Sequence, residues 1–344
     1  MKVGLIGHRG AGKTTIFNML TGLQAQTGGF GGKDEVHLGV IKVPDDRIDK
    51  LAQIYKPKKT TSAEIRFTDF PPSQGEEDLR SNNAVITQIR EVDAIALVLA
   101  DFEPGATPMK DLNDLLTEMI LADMTVIDNR RSRLKKEKAR PQEEALLERC
   151  AAALENEESL RNLSYSADEE TLLSGFGFLS KKPLLVLFNR GEHEAGKPLP
   201  ADYGTELKKR NILALALSGK VEMEIAQLDE SDRRAFLKDL GIEESARERF
   251  IRASYDLLNL ISFLTAGEDE VRAWTITRGT NARSAAGKIH SDIERGFIRA
   301  EVVAFVDFIA LGSELKCKEA GKLRLEGKDY VVKDGDIIHF RFAV

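Results

Sequence analysis

The chain has 344 residues, 42% hydrophobic and 31% charged, which excludes a collagenous or wholly disordered protein and allows about two or three domains. Lysine plus arginine number 50 against 56 acidic residues, a formal charge of −6, so bulk charge does not recruit nucleic acid and any such contact must be local; no DNA partner is expected. No apolar run approaches the roughly 20 residues of a membrane span, the opening MKVGLIGHRG lacks a secretory-signal pattern, and Cys150 and Cys317 cannot build a disulfide framework, so a cytoplasmic protein without a membrane partner is expected.

In chain order, Lys2–Ile6 reads as a short buried strand, followed by a glycine-rich loop and a helix over Thr14–Leu20 stopped by Gly22. Residues 26–39, with Gly28, Gly29, Gly31, Gly32 and Gly39, read as a flexible segment. Ala63–Thr68 alternates as a half-buried strand ending at Asp69. The continuous apolar runs Ala94–Ala100, Pro183–Phe188 and Ile212–Leu217 suit strands covered on both faces of a parallel sheet. Helical stretches separate them, so the fold class is α/β, a doubly wound domain.

Between about 109 and 178 the rhythm changes. Leu112, Leu116, Met119 and Val126 recur at helical spacing, as do Leu147, Cys150, Leu154 and Leu160, with Pro141 between, predicting an inserted antiparallel helical hairpin. Arg130, Arg131, Arg133, Lys135, Lys136, Lys138 and Arg140 crowd one arm; Glu143, Glu144, Glu148, Glu155, Glu157 and Glu158 crowd the other. Two readings stand: the arms pair their charges or solvate them, or the basic end touches RNA phosphates. Ser245 and Glu248 form a capping box that predicts a long helix carrying Phe250, Ile251, Leu257, Leu258, Ile261 and Leu264 to a stop at Gly267. Short strands then follow at Val271–Ile276, Glu301–Phe305, Leu323–Leu325, Tyr330–Val332 and Ile337–Phe342, with a turn at Lys333–Asp336 and one short helix near Ser284–His290. The expected division is 1–108 with 179–266 as one domain, 109–178 as the hairpin and 267–344 as a small closing domain. That closing stretch holds 13 acidic and 13 basic residues from Glu268 onward, so it is not broadly basic, although Arg295, Arg299 and Lys322 form local strips. Trp274 reads as core, and His290 and His339 as structural polar residues; five histidines and two cysteines offer no metal-ligand spacing.

Gly7-His8-Arg9-Gly10-Ala11-Gly12-Lys13-Thr14 fits G-x-x-x-x-G-K-[ST] between a strand and a helix. Glycines let backbone N–H groups turn inward around a phosphate, Lys13 brings positive charge, and the Thr14 hydroxyl suits Mg²⁺. Arg9 to Thr15 are therefore candidate phosphate-binding residues, with Thr14 and Asp69 as candidate metal ligands. The apolar strand ending at Phe188 runs into Asn189-Arg190-Gly191-Glu192, where guanine readers carry Asn-Lys-x-Asp; Ser218-Gly219-Lys220 follows the next strand. Glu192 sits one methylene further out than such an Asp, which degrades guanine geometry. Asn189, Glu192, Ser218 and Gly219 are the candidate base-side residues.

The loop, the Asn-x-x-Glu, the hairpin, and stretches such as REVDAIALVLADF and VPDDRIDKLAQIYKPKK resemble the YchF/Obg-like ATPases. The segments AWTITRGTNARSAAGKIHSDIERGFIRAEV and KEAGKLRLEGKDYVVKDGDIIHFRF are similar to that family's TGS domain, a ubiquitin-like β-grasp. The resemblance covers essentially the whole chain and implies ATP preferred over GTP, with Mg²⁺ and a ribosome or ribosomal RNA or protein as partner; a monomer is expected. The chain departs from the family at Gly10, where the family has Asn, and in the first switch, where Lys33 stands near a Mg²⁺-binding Thr. In the second switch, Asp69-Phe70-Pro71-Pro72 replaces Asp-x-x-Gly, followed by Ser73 and Gln74. Proline has no N–H to offer a γ-phosphate, so slow hydrolysis is expected. A non-hydrolysing nucleotide-dependent adaptor is the alternative; a small-molecule kinase would need a lid and substrate pocket that the TGS resemblance does not supply.

Overall fold

Apolar runs buried on both faces make the centre of a parallel sheet in the computed structural model, which describes residues 1–23, 25, 36–71, 83–136, 141–239, 241–242 and 244–343. The strands are β1 (Lys2–Ile6), β2 (His37–Lys42), β4 (Glu64–Asp69), β5 (Ala94–Asp101), β6 (Leu184–Arg190) and β7 (Leu213–Leu217), in the order β2-β4-β1-β5-β6-β7. The pairings β4–β1–β5–β6–β7 are all parallel, with Leu5 opposite Asp69 and Ala100 opposite Asn189. Every residue of β6 is buried, and so are the first six of β5, as expected of strands covered by helices on both faces. Helix α1 (Lys13–Thr21) ends at Gly22, whose φ of 74° supplies the left-handed cap.

The inserted helices are α4 (Pro108–Leu134) and α5 (Pro141–Glu155), following α2 (Asp46–Tyr55) and α3 (Asn83–Arg90). Pro108 and Pro141 stand at first helical positions, where the missing N–H costs nothing. α4 serves two cores. Leu112, Leu115, Leu116 and Met119 pack with Ile95, Leu97 and Val186 of the sheet. Ile127 and Leu134 pack with Leu146, Leu147, Cys150 and Leu154 of the return arm. At the changeover, fully buried Asp123 accepts from the Leu179 N–H at 2.9 Å, from the Ser180 N–H and hydroxyl, both at 2.7 Å, and from Arg90 at 3.1 Å. Burial pushes its carboxyl up against the opposing pull of those four donors.

The chain forms two compact units, Met1–Val40 with Arg66–Ala253, and Ile41–Ile65 with Ser254–Val344. The second has a six-stranded mixed sheet in the order β11-β10-β12-β8-β9-β3, from β3 (Lys59–Thr61), β8 (Leu260–Thr265), β9 (Glu270–Thr277), β10 (Phe297–Ala304), β11 (Arg324–Glu326) and β12 (Asp336–Phe342). β12 pairs parallel with β8, between antiparallel β8–β9 and β10–β12 pairs. Ala282, Ala285 and Ala286 of α11 (Ala282–Ile289) pack on Ile261, Phe263, Val302 and Ile338, the β-grasp arrangement. Residues 41–65 belong here because β3 adds in parallel to β9, and Arg47 bridges Asp45 and Asp334, at 2.8 Å each. The sequence division at 266 and 267 does not draw these pairings.

Three expectations need correction. The helix from the Ser245 cap ends at Leu257 as α10 (Ala246–Leu257), and Ile261 to Leu264 lie in β8. The capping box is present, but Asn259 takes a left-handed φ of 49° and the chain turns into the sheet. An apolar run buried on all sides carries no period that separates helix from strand. The strand expected to run to Phe305 stops at Ala304; Phe305–Leu311 and Glu314–Glu319 are the unforeseen helices α13 and α14. Tyr330–Val332 contributes one isolated bridge, Val331 to Asn281, rather than a strand. Other readings hold: Trp274 packs against this core while its indole N–H reaches Thr265 at 3.0 Å, and His290 caps α12 (Ser291–Arg295) through a bond from the Asp292 N–H.

Candidate nucleotide site

Four parallel strands end on one edge of the sheet, and their ends carry the residues singled out in the sequence, the usual ligand edge of an open α/β sheet. β1 runs into the loop Gly7–Thr14, β4 ends on Asp69, β6 ends on Asn189-Arg190, and β7 leads to Ser218. The loop needs its glycines for separate reasons. A Cβ on Gly7 would lie 2.3 Å from the Val98 carbonyl oxygen. Gly12 has φ 84°, and a Cβ there would lie 2.2 Å from Asn189 Nδ2. Gly10 has φ 83°, and a Cβ there would meet nothing within 4 Å among the described residues. It is a left-handed position that Asn also tolerates, so Gly and Asn are interchangeable there on backbone grounds.

Lys13 is nearly fully buried and its ammonium bonds the His8 carbonyl at 3.3 Å. Burial lowers its pKa to about 8, opposed by the charge of Asp69. Thr14 Oγ1 donates to Asp69 Oδ2 at 2.9 Å. The other oxygen, Asp69 Oδ1, is buried with no hydrogen-bond partner among the described residues. A hydroxyl and a carboxylate with a spare oxygen suit a Mg²⁺ held through few protein ligands and several waters. The residues present thus fit that ion. His37, the first residue of β2, places Nδ1 3.4 Å from the same Asp69 Oδ2. Sequence reasoning missed it, since a lone histidine after a glycine-rich segment carries no spacing signal. Among the described residues no cluster of three or more His, Cys, Asp or Glu side chains offers a separate metal site.

The base side is built around Asn189. Its Nδ2 donates to the Ala11 carbonyl at 3.1 Å and its Oδ1 accepts from the Gly219 N–H at 3.0 Å, so one amide welds three loops. A Cβ on Gly219 would crowd that Oδ1 at 3.2 Å and Thr15 Cγ2 at 3.3 Å. Ser218 is buried at the start of α8 (Gly219–Gln227). Arg190 turns away from this edge: it is buried and bonds Asp101 at 3.1 Å, Glu194 at 2.8 Å and the carbonyls of Lys197 and Pro198. Glu192 is half exposed and ion-paired with Lys220. The structure thus brings together Gly10 to Thr15, Asp69, Asn189, Ser218 and Gly219, with Glu192 at their rim and Arg9 exposed on the loop. Lys33, Pro72, Ser73 and Gln74 lie outside the described residues.

Comparison with known proteins agrees along the whole chain. Residues 2–130 match the family model MMR_HSR1, described as "50S ribosome-binding GTPase", and residues 260–343 match YchF-GTPase_C, "Protein of unknown function (DUF933)". The chain is 37% identical to a protein of Bacillus subtilis (strain 168) named "Ribosome-binding ATPase YchF", covering 100% of both. It is 40% identical to the protein of that name from Escherichia coli O157:H7, covering 100% of this chain and 99% of the relative. The solved structure of the Schizosaccharomyces pombe YchF GTPase superposes with a TM-score of 0.84 at 28% identity, covering 99% of this chain and 97% of that one. With a P-loop sheet, an inserted hairpin, a closing β-grasp and relatives matched end to end, the chain belongs to the YchF family.

Proposed function

We propose that this protein binds ATP in preference to GTP, hydrolyses it slowly, and acts in association with the ribosome. The observation that carries the base preference is the state of Glu192. Its carboxylate sits on a half-exposed side chain at the rim and is engaged by Lys220. Guanine selection needs a carboxylate held within about 3 Å of two ring-edge donors at once. The loop from Arg9 to Thr15 cradles the phosphates with Lys13 as the cation, while Thr14 and Asp69 hold Mg²⁺. When bound, Mg²⁺ neutralises charge between the β- and γ-phosphates. Adenine rests against the Asn189 and Ser218–Gly219 backbone, whose carbonyls accept from its amino group. The names of the relatives support the ribosomal partner. No helix among the described residues is long and apolar enough to cross a membrane.

Calorimetric titration of the nucleotide-free protein with ADP and GDP tests the base preference. ADP should bind more tightly, and Glu192→Asp should narrow the gap. Tighter GDP binding by the unsubstituted protein sinks the reading. Arg190 is unsuited to a base-exchange design, since its replacement by Lys would break the bonds to Asp101, Glu194 and two carbonyls. A second reading, a nucleotide-dependent adaptor that scarcely turns over, is favoured by Pro72, which offers no N–H where the family has glycine. Steady-state phosphate release separates the two: slow but Lys13-dependent release supports the first, and none above background supports the second.

A further inference from the structure

The loops that follow β6 and β7 meet at one ion pair. Lys220, in the first turn of α8, donates its ammonium to the Glu192 carboxylate, and the two side chains are 69% and 50% exposed. The neighbouring Gly219 N–H bonds Asn189 Oδ1 at 3.0 Å, so the backbone carrying Lys220 is anchored to the strand end that leads to Glu192. The Lys220 bond holds the Glu192 carboxyl below its ordinary range, and Glu192 raises Lys220 in turn, so both remain charged near neutrality. A guanine edge presents a ring N–H and an exocyclic amine side by side and needs both carboxylate oxygens. An ammonium competes for those lone pairs and sets further N–H donors against the guanine ones. Adenine has an acceptor nitrogen at the ring position where guanine has N–H, so it makes no demand on that carboxylate.

We propose that Lys220 is a specificity-determining positioning residue of the base site, acting through Glu192 to withhold its carboxylate from guanine. This rests on the adenine preference proposed above. The decisive quantity is the ratio of GDP to ADP dissociation constants, measured by calorimetry for the unsubstituted protein, Lys220→Met, Lys220→Arg, Glu192→Gln, and Glu192→Gln combined with Lys220→Met. Lys220→Met should lower the ratio by about two- to fivefold, the range an exposed ion pair can supply, chiefly through tighter GDP binding. Lys220→Arg should keep the original ratio. In the Glu192→Gln background, Lys220→Met should be silent. An unchanged ratio in Lys220→Met overturns the proposal, and so does an equal shift in the Glu192→Gln background, because Lys220 would then act on the base without Glu192. A ratio below one in the unsubstituted protein refutes the adenine preference itself, whereas the Lys220 response is scored against that ratio whatever its value.

Discussion

At the residue scale, two positions of the phosphate loop separate geometry from charge. Gly12 combines φ 84° with a close approach to Asn189 Nδ2. Gly12→Ala must therefore strain the backbone and push away the amide that joins Ala11 to Gly219. It should cost about 1–3 kcal/mol in stability and weaken ADP binding, read by thermal unfolding and calorimetry on one preparation. Lys13 is different, because its buried ammonium has a pKa drawn down to about 8 and so disfavours the nucleotide-free fold at neutral pH. Lys13→Ala should leave the melting temperature of the nucleotide-free protein unchanged or raised, while ADP binding weakens by roughly ten- to a hundredfold, the worth of one hydrogen bond to a charged group. A lowered melting temperature with intact ADP binding would reverse the assignment. Gly10, where the family resemblance points to Asn, needs neither argument: both residues accept the left-handed backbone that the loop imposes.

At the scale of elements, the hairpin resolves the two readings of its charges arm by arm. Arg130 bonds Glu143 at 2.6 Å and Arg131 reaches Glu148 at 3.3 Å, so the start of the basic run is met by the return arm. Arg133, Lys135 and Lys136 are exposed near the end of α4, while Lys138 and Arg140 lie outside the described residues. If RNA phosphates are contacted here, the exposed residues carry the contact. The protein should sediment with ribosomes at low salt and be released as salt rises. Reversing Arg133 and Lys135 should reduce the pelleted fraction, and adding Arg131 reversal should reduce it further. Pelleting unchanged in the triple variant removes the hairpin from the interface. The two-sided packing of α4 bears on this, since Leu112 to Met119 belong to the sheet's core and Ile127 to Leu134 to the hairpin's. Periodicity marked the apolar positions of this helix but not which neighbour each would meet.

At the scale of the whole molecule, the five tyrosines report on both units. Burial is the leading cause raising each of them: Tyr55 and Tyr330 to about 12, and Tyr165, Tyr203 and Tyr255 in the same direction. In the unfolded chain they ionise near pH 10. A group raised in the folded state stabilises it below the unfolded pKa, and that contribution drains away as pH climbs toward the folded pKa. Stability should therefore fall between about pH 10 and 12, and tyrosinate absorbance should rise late and together with loss of structure. A full tyrosinate signal near pH 10 from a still-folded protein contradicts the packing described.

Local chemistry determined a good part of this protein from sequence alone. Five apolar or alternating segments became strands β1, β4, β5, β6 and β7 within a residue or two. β5 and β6 are buried almost throughout, as their apolar runs demand. β7, at the sheet edge, buries only Leu217 and leaves Leu213 exposed, contrary to the expectation that its run is covered on both faces. The phosphate loop was legible because its G-x-x-x-x-G-K-[ST] spacing is local in the chain, although Gly7 and Gly12 are held to glycine by Val98 and Asn189 far along it. Asn189 and Ser218 were legible because they follow strands of that sheet. What tertiary structure alone decided are the contacts between distant segments. They include Asn189 joining Ala11 to Gly219, Lys220 holding Glu192, His37 beside Asp69, Asp123 at the root of the hairpin, and Lys59–Thr61 paired with β9. The reversal of Ile261 to Leu264 from helix to strand has the same cause. A segment buried on every side, or a polar group whose partner lies far along the chain, takes its state from neighbours that only the completed fold brings near.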